Sequence, residues 1–545
     1  MFLGSALVYA AALPRETTFV CDVVVAGGSL GALAAAVSAA NISATLRVCL
    51  TDPTDWPGGQ LTASAVPAVD FGPENSRREN LPASFADFLF GPQMPGGVNL
   101  GNCWVSYKCF APTIAIAHLV APLFAAFPNL RVLLMTAVTG VARDAASGAV
   151  TAVSAVQRTP AAGTTGWEAL TSEQLEDWYS GAPSAAFSKT AVTLEVAPGG
   201  VVIEGTEFGD VLATAGVAFA EGIEAPLESS TRYISSCGQG ITVPFYLSYM
   251  REPAPSPDPW PPGSGKFDLD YNFSFDFTYR RVEAAGDSPP YEAGPGETSV
   301  INIGGGNDFD DGYIFLPLNS SALNAQLAGP GLWRGGINLT TYAAAEQRAF
   351  GFYHWVRANA SDNARRFLAL NASLAGTATG LAKMPYLRDA RRSPGGLGGF
   401  RVFKNNLTVA GQSRGNRTAV RWPDTIGIGQ YFYADIHKES ATACDYPSYI
   451  ESGAPVLPYY LPFRSLTVDG APNLLVVGKS IASTFFANAA IRLHPEEWVT
   501  GVAAGVAAGL MVEERWASTQ QALDNVAAVQ AAVAAMGSPL EWTLP

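Results

Sequence analysis

Charge is what this sequence has least of. Asp, Glu, Lys and Arg make up 15% of its 545 residues, against about 25% in an ordinary soluble domain. Hydrophobic residues make up 48%, so there is ample apolar surface to bury and a mainly disordered chain is excluded. Basic residues are scarcer than acidic ones, 33 against 47, for a net charge of −14. A chain this acidic repels phosphate backbones, so nucleic acid is not an expected partner. No apolar run reaches the ~18–20 residues of a spanning helix. The longest, Trp498 to Val512, is rich in Ala and Gly, ends at Glu513-Glu514-Arg515 and reads as a buried helix. Histidine is limited to four residues, and no paired Cys/His spacing of a zinc site occurs. No metal is therefore expected. A P-loop and a Ser-His-Asp order are also missing.

Cysteine is sparse, with six residues. Cys21 and Cys49 lie at or within apolar strand-like runs and read as buried thiols. Cys103 and Cys109 bound a short loop that can close as a disulfide in an oxidising compartment. A redox-active pair is the sharper alternative, but its spacing and its late position do not suit one. What is abundant is the Asn-x-Ser/Thr sequon, at Asn41, Asn272, Asn319, Asn338, Asn359, Asn371, Asn406 and Asn416. Chance would give roughly three. Residues 1–17, apolar from Phe2 to Leu13, read either as a leader segment without a basic start or as a ragged terminus. A secretory route fits these features, with the cytoplasm as the alternative.

The strongest chemistry is near the N-terminus. Asp22-Val23-Val24-Val25 is a β-branched run suited to a buried parallel strand. Ala26-Gly27-Gly28-Ser29-Leu30-Gly31 follows, then an Ala-rich helical stretch from Leu33 to Ala40. Arg47-Val48-Cys49-Leu50 is a second strand with Asp52 at its end. Gly28 lets the backbone approach a pyrophosphate, and Gly31 lets the helix pack closely on the strand. The helix N-terminus offers free N–H groups to the phosphates. Asp52 stands about 20 residues on, where a ribose-binding carboxylate belongs. Ala26 replaces the first glycine, which is tolerable where the turn needs no positive φ there.

A second Gly-rich turn, Trp56-Pro57-Gly58-Gly59-Gln60-Leu61-Thr62, follows the acid directly. An NAD enzyme has no general need for it; FAD proteins commonly have one. Much later, Asn473-Leu474-Leu475-Val476-Val477-Gly478-Lys479 is a strand ending in Gly. It leads through Arg492 into the small-residue stretch containing Trp498, Gly501 and Gly505, a route that returns the chain to a flavin.

With these motifs the sequence resembles the FAD-dependent oxidoreductases of the glutathione-reductase-like superfamily. The resemblance recurs in Cys103-Trp104-Val105-Ser106, Glu204-Gly205-Thr206-Glu207-Phe208-Gly209-Asp210, Gly306-Asn307-Asp308 and Tyr386-Leu387-Arg388-Asp389-Ala390-Arg391-Arg392, and covers most of residues 20–515. It implies an α/β fold: a Rossmann-like FAD-binding domain with a parallel sheet, plus an inserted α+β substrate domain. The cofactor implied is FAD. The cofactor-binding residues are Gly28, Ser29, Leu30, Gly31, Asp52, Gly58, Gly59, Gln60, Leu61, Val138, Gly478, Arg492, Trp498 and Gly501. The activity implied is oxidation of a small organic substrate by hydride transfer to flavin N5, with O2 or another acceptor. An NAD-dependent dehydrogenase and a non-catalytic flavin-carrying secreted glycoprotein are the alternatives.

Along the chain, residues 18–70, 130–215 and 470–515 are expected to form a discontinuous FAD domain, joined by a connecting segment at 71–129. Residues 220–465, with seven of the eight sequons, are expected to form the substrate domain, and 516–545 a helix and tail. Leu130 to Val138 reads as a strand, and Val138 to Val156 as a hairpin over Ala146-Ser147-Gly148. Tyr271 to Tyr279 alternates aromatic and polar residues and predicts a strand with Asn272 on its polar face. Ile426 to His437 predicts another. Flavin oxidation of an alcohol or amine needs a base, and a neutral His suits that role. His494, in the flavin-returning segment, is the first candidate and His437 the second. His118 and His354 read as structural. Arg388, Arg391 and Arg392 form a basic cluster for which structural ion pairing is favoured.

Overall fold

The computed structural model describes residues 15–91, 99–254, 262–263, 265–286, 288–440 and 443–545. Most of the leader reading thus lies outside the described residues.

β1 (Arg15–Ala26) leads into helix α1 (Leu30–Ile42) and then β2 (Val48–Thr51). Val23, Val24 and Val25 are fully buried, as a strand covered on both faces requires. β3 (Leu130–Leu133), β4 (Thr136–Arg143), β5 (Val150–Pro160) and β6 (Phe187–Glu204) complete the order β3-β2-β1-β6-β5-β4. β3, β2, β1 and β6 run parallel, and the strand Leu474–Val476 adds in parallel to β6. β4 and β5 form the antiparallel hairpin expected over residues 146–148.

Against this sheet, α1 meets the helix His494–Glu513 at very close range. A Cβ at Gly501 would lie 2.3 Å from the Gly31 carbonyl oxygen, and one at Gly505 would lie 2.2 Å from that of Ala35. The Gly/Ala content of both stretches is what permits this approach. Gly31 faces this contact too: its Cβ would sit 3.1 Å from the Glu497 carbonyl oxygen and 3.2 Å from Val477 Cγ2. The closest approach at Gly31 is therefore to the C-terminal segment, where the first strand was expected.

A second, four-stranded antiparallel sheet has the order Arg281–Glu283, Glu297–Ile301, Phe245–Tyr249, Leu368–Leu370. Its aromatic core includes Phe245, Tyr353 and Phe352, the last two from the long helix Leu339–Asn359. Beyond residue 516 the chain forms two short helices, Thr519–Asp524 and Val526–Ala535, which bury Ala522, Val529 and Val533.

Three expectations are corrected here. Cys21 and Cys49 are not thiols: they form a disulfide between the adjacent strands β1 and β2. Cys103–Cys109 closes the short loop as expected, and Cys237–Cys444 is a third bridge. The stretch from Tyr271 is not a strand; Phe273–Tyr279 is a helix. Asn272 caps it by accepting from the Phe275 N–H at 3.2 Å, and Asp276 Oδ2 accepts from the Asn272 N–H at 2.7 Å. This reciprocal cap outweighs the alternation, and Phe273 and Phe277 then meet four residues apart. Finally, the strand expected over Ile426 to His437 stops early, at Thr425–Gly429.

Candidate active site and cofactor site

The nucleotide turn is shaped by missing side chains. Ala26 ends β1, and it is Gly27, at φ +113, that takes the left-handed conformation, so Ala at the first motif position costs nothing. A Cβ on Gly28 would fall 2.3 Å from Asp52 Oδ2. Ser29 caps α1 by accepting from the Ala32 N–H at 3.1 Å, and Leu30 and Gly31 begin the helix. The amides of this first turn have no partners within the helix.

Asp52 is buried. Its Oδ1 accepts from the N–H and hydroxyl of Thr54, at 2.7 and 2.8 Å, while Oδ2 has no partner. Burial pushes this carboxyl up to about 7. Gly58 (φ +116) and Gly59 (φ +50) form the second turn. A Cβ at Gly59 would lie 2.9 Å from Ser29 Cα, so the second turn is packed on the first. Gly478 (φ +59) brings in the third segment, its N–H bonded to Thr500 Oγ1 at 3.0 Å. Gln60 Nε2 donates to the Arg492 carbonyl at 2.8 Å, leaving its Oε1 buried without a partner. The residues fit a dinucleotide: a cradle that a Cβ would fill at Gly28, an unpaired carboxylate oxygen beside it, and unpaired polar atoms along the path to Arg492. When bound, FAD supplies a two-electron acceptor that no side chain provides.

Not every residue expected here converges on the cradle. Leu61 is buried beside Gln60, and Val138 is buried in β4. Trp498 stacks on Phe85 at 5.3 Å and donates to Ser84 Oγ at 3.1 Å. Gly501 serves the contact with α1.

Arg492 is shared with a cavity of about 400 Å³. Asp70, Arg280, Arg388, Asp435, His437 and Arg492 line it, among Trp104, Tyr279, Tyr386, Tyr431 and Tyr433. His437 is locked: Nδ1 lies 2.9 Å from Asp308 Oδ2 and Nε2 3.0 Å from Asp435 Oδ2. Arg388 Nη2 bonds both oxygens of Asp308, at 3.0 and 3.1 Å. Arg492 bonds Asp435 Oδ2 at 3.1 Å and the Tyr386 hydroxyl at 2.8 Å. Burial alone would raise Asp308 and Asp435. Arg388 and His437 reverse this at Asp308, and His437 and Arg492 do so at Asp435, so both are held well below the carboxylate range.

The other candidate base, His494, opens the helix His494–Glu513 and does not line the cavity. Its Nε2 lies 3.0 Å from the Val66 carbonyl, which can only accept, so Nε2 carries the hydrogen. The lone pair on Nδ1 is buried without a partner. Burial pushes this imidazole down to about 3. His118 and His354 lie elsewhere, on helical segments.

Sequence reasoning missed Asp70, Arg280, Tyr386 and Asp435. A signal for Asp435 was present: Tyr431, Tyr433, Asp435 and His437 alternate, and all four line the cavity, while Ala434 and Ile436 are buried in the core behind. Of the basic cluster, Arg391 pairs with Glu221 at 2.8 Å and Arg392 with Asp389 at 2.7 Å, all buried. Those two are structural, as favoured; Arg388 also faces the cavity.

A Gly-rich cradle feeding a polar cavity defines a nucleotide-dependent enzyme of the α/β class. The family model described as FAD dependent oxidoreductase matches residues 22–169 and 183–533, and the chain belongs to that family. The protein is thus an FAD-dependent oxidoreductase. No curated protein matches. Among solved structures, an E. coli quinol fumarate reductase FrdA point mutant overlaps 94% of this chain and 74% of its own, at 11% identity and TM-score 0.30. The p-nitrophenol 4-monooxygenase PnpA from Pseudomonas putida DLL-E4 overlaps 43% of this chain and 48% of its own, at 13% identity and TM-score 0.23. The chain thus spans about half the length of that monooxygenase.

Proposed function

We propose that the protein oxidises a small organic substrate held in the Arg280–Arg492 cavity, passing a hydride to flavin N5 and the electrons on to O2 or another acceptor. The observation that carries this reading is Arg492. Its carbonyl is bonded by Gln60 of the second Gly-rich turn, and its guanidinium lines the cavity. One residue thus joins the cofactor path to a polar cavity lined by Asp70 and Arg280. Gly28, Ser29, Leu30 and Gly31 receive the pyrophosphate and Asp52 the ribose. His494 Nδ1 is free to accept a hydrogen bond from the cofactor. His437 is a positioning residue: by bonding Asp308 and Asp435 it fixes Arg388 and Arg492.

The purified protein should be yellow with about one FAD per chain, and an anaerobic substrate screen should bleach it. A colourless protein that binds NAD and not FAD would overturn the reading.

The compartment we propose is the secretory lumen. All six cysteines are paired, and among the described residues no helix is long and apolar enough to cross a membrane. Asn41, Asn272, Asn319, Asn359 and Asn416 are exposed. Protein from a secretory eukaryotic host should migrate above 57.1 kDa and shift down on glycosidase treatment. Absence of any shift would favour the cytoplasm.

A further inference from the structure

The charges around the cavity pair off almost completely, and what is left over is informative. Arg388 is neutralised by Asp308, and Arg492 by Asp435, with His437 between the two acids. Arg280 remains as a cation, and Asp70 and Asp276 remain as anions; of these two acids, Asp276 already serves the cap of the helix Phe273–Tyr279 by accepting from the Asn272 N–H. Among the described residues Arg280 makes a single hydrogen bond, Nη1 to the Asn302 carbonyl at 2.6 Å, and its Nε is buried without a partner. Arg492 Nε is likewise unpartnered. Asp70 has neither a hydrogen bond nor an ion pair among the described residues; it feels Arg280 and Arg492 only through space. A buried guanidinium N–H without an acceptor costs more than a neutral one, and the unpaired Asp70 carboxylate, only partly buried, is open to a ligand from the cavity. These two opposite charges do not close on each other. They face one cavity from different chain segments.

We infer that Arg280 and Asp70 are a recognition pair for a small carboxylic acid with a hydrogen-bond donor on the neighbouring carbon, that is, an α-amino or α-hydroxy acid. The ligand carboxylate takes the Arg280 guanidinium, whose Nη2 is unbonded among the described residues and faces the cavity, a charge-assisted contact beside the Arg492 charge. Its amine or hydroxyl donates to Asp70. The remainder of the ligand lies on Trp104 and Tyr279, whose rings are 4.5 Å apart at the cavity wall. Burial raises the Asp70 carboxyl against the pull of Arg280 and Arg492, with Asp435 adding to the rise; a donor bonded to it relieves that cost. The inference rests on the proposed function for its setting, but it concerns binding and is tested by binding.

The probes are 2-aminoisobutyrate, 2-hydroxyisobutyrate and isobutyrate, titrated calorimetrically into the FAD-loaded protein. The first two have no hydrogen on the donor-bearing carbon and cannot be oxidised there; the third has no donor. At least one donor-bearing acid should bind about tenfold or more tighter than isobutyrate, the worth of a hydrogen bond to a charged group. Which of the two wins tells an ammonium site from a hydroxyl site. Asp70→Ala, which removes the acceptor, should erase the preference and leave isobutyrate bound as well as before or better. Arg280→Gln should weaken all three acids by about tenfold or more, and Arg280→Lys serves if that variant does not retain FAD. Equal binding of the three acids by the unmodified protein, no binding of any, or a preference that survives Asp70→Ala would each overturn the inference. If the preference holds but no acid bearing an α-hydrogen bleaches the flavin, the recognition pair stands and the proposed oxidation falls.

Discussion

The nucleotide cradle and the substrate cavity are built on opposite principles. The cradle works by leaving atoms out: Gly27, Gly28, Gly31 and Gly59 sit where a Cβ would meet neighbouring atoms at between 2.2 and 3.1 Å. The cavity works by putting long side chains in, Arg280, Arg388 and Arg492 among tyrosines, and then cancelling most of their charge with Asp308 and Asp435. Close backbone packing tolerates no added volume. A paired charge network tolerates no removed partner. The two regions should therefore fail under opposite kinds of substitution.

The largest effect is expected from added volume. Gly31→Val must push the start of α1 away from the Glu497 carbonyl and Val477, the contact that holds the first and third segments of the cradle together. The variant should lose its flavin on gel filtration, read as the ratio of flavin to protein absorbance, while circular dichroism shows it folded. A folded Gly31→Val protein with normal FAD content would show that this contact does not shape the cradle.

Removal of a charge comes next. Arg392 is fully buried, bonded to Asp389 at 2.7 Å and near Glu224 at 3.3 Å. Arg392→Met leaves two buried acids uncompensated and should cost about 3–5 kcal/mol in urea unfolding. In the nucleotide region, Arg47 pairs with Asp22 at 2.7 Å, but its side chain is 55% exposed. Arg47→Met should cost about 0–1 kcal/mol. Equal losses would mean that burial does not separate the two kinds of ion pair.

The same contrast explains what could be read from sequence. A cradle made of omitted side chains is written in the chain directly, because Gly at fixed offsets after a β-branched run has few other uses. Ala26 even showed which position did not need positive φ. The cavity is assembled from residues 70, 104, 280, 386, 435 and 492, brought together only by folding. No local spacing marks Asp70 or Arg280, because their significance lies in having no ion-pair partner among the described residues, and that is a property of the fold. The helix at Phe273–Tyr279 was hidden for a related reason: alternation of aromatic residues is visible over nine positions, whereas the cap that overrides it is a single Asn and Asp pair. The Cys21–Cys49 bridge was missed because apolar runs suit a buried thiol and a buried disulfide equally, and only strand register brings the two sulfurs together.

The smallest expected effect lies where the two regions touch. Glu496 belongs to the helix that packs on α1, yet its Oε1 accepts from the Gln430 N–H at 2.8 Å and from Asn75 Nδ2 at 3.0 Å. Gln430 begins the segment carrying Tyr431, Asp435 and His437. Oε2 is buried without a partner, and burial pushes the carboxyl up to about 8. A raised folded-state pKa means that the folded protein holds this proton when the unfolded chain has already released it. Stability from this group is therefore fully present below the unfolded value of about 4.3, and is lost as pH rises through the interval up to about 8. Glu496→Gln keeps a neutral acceptor at Oε1 and cannot ionise. The melting temperatures of variant and parent should thus lie close together at about pH 5 and separate toward pH 8, with the variant the more stable. Flavin content should be unchanged, since nothing is added to the cradle. A difference that stays constant across this range would mean that Glu496 ionises in the folded protein as easily as in the unfolded one. The joint between cradle and cavity would then be wetter than its buried, half-bonded carboxyl implies.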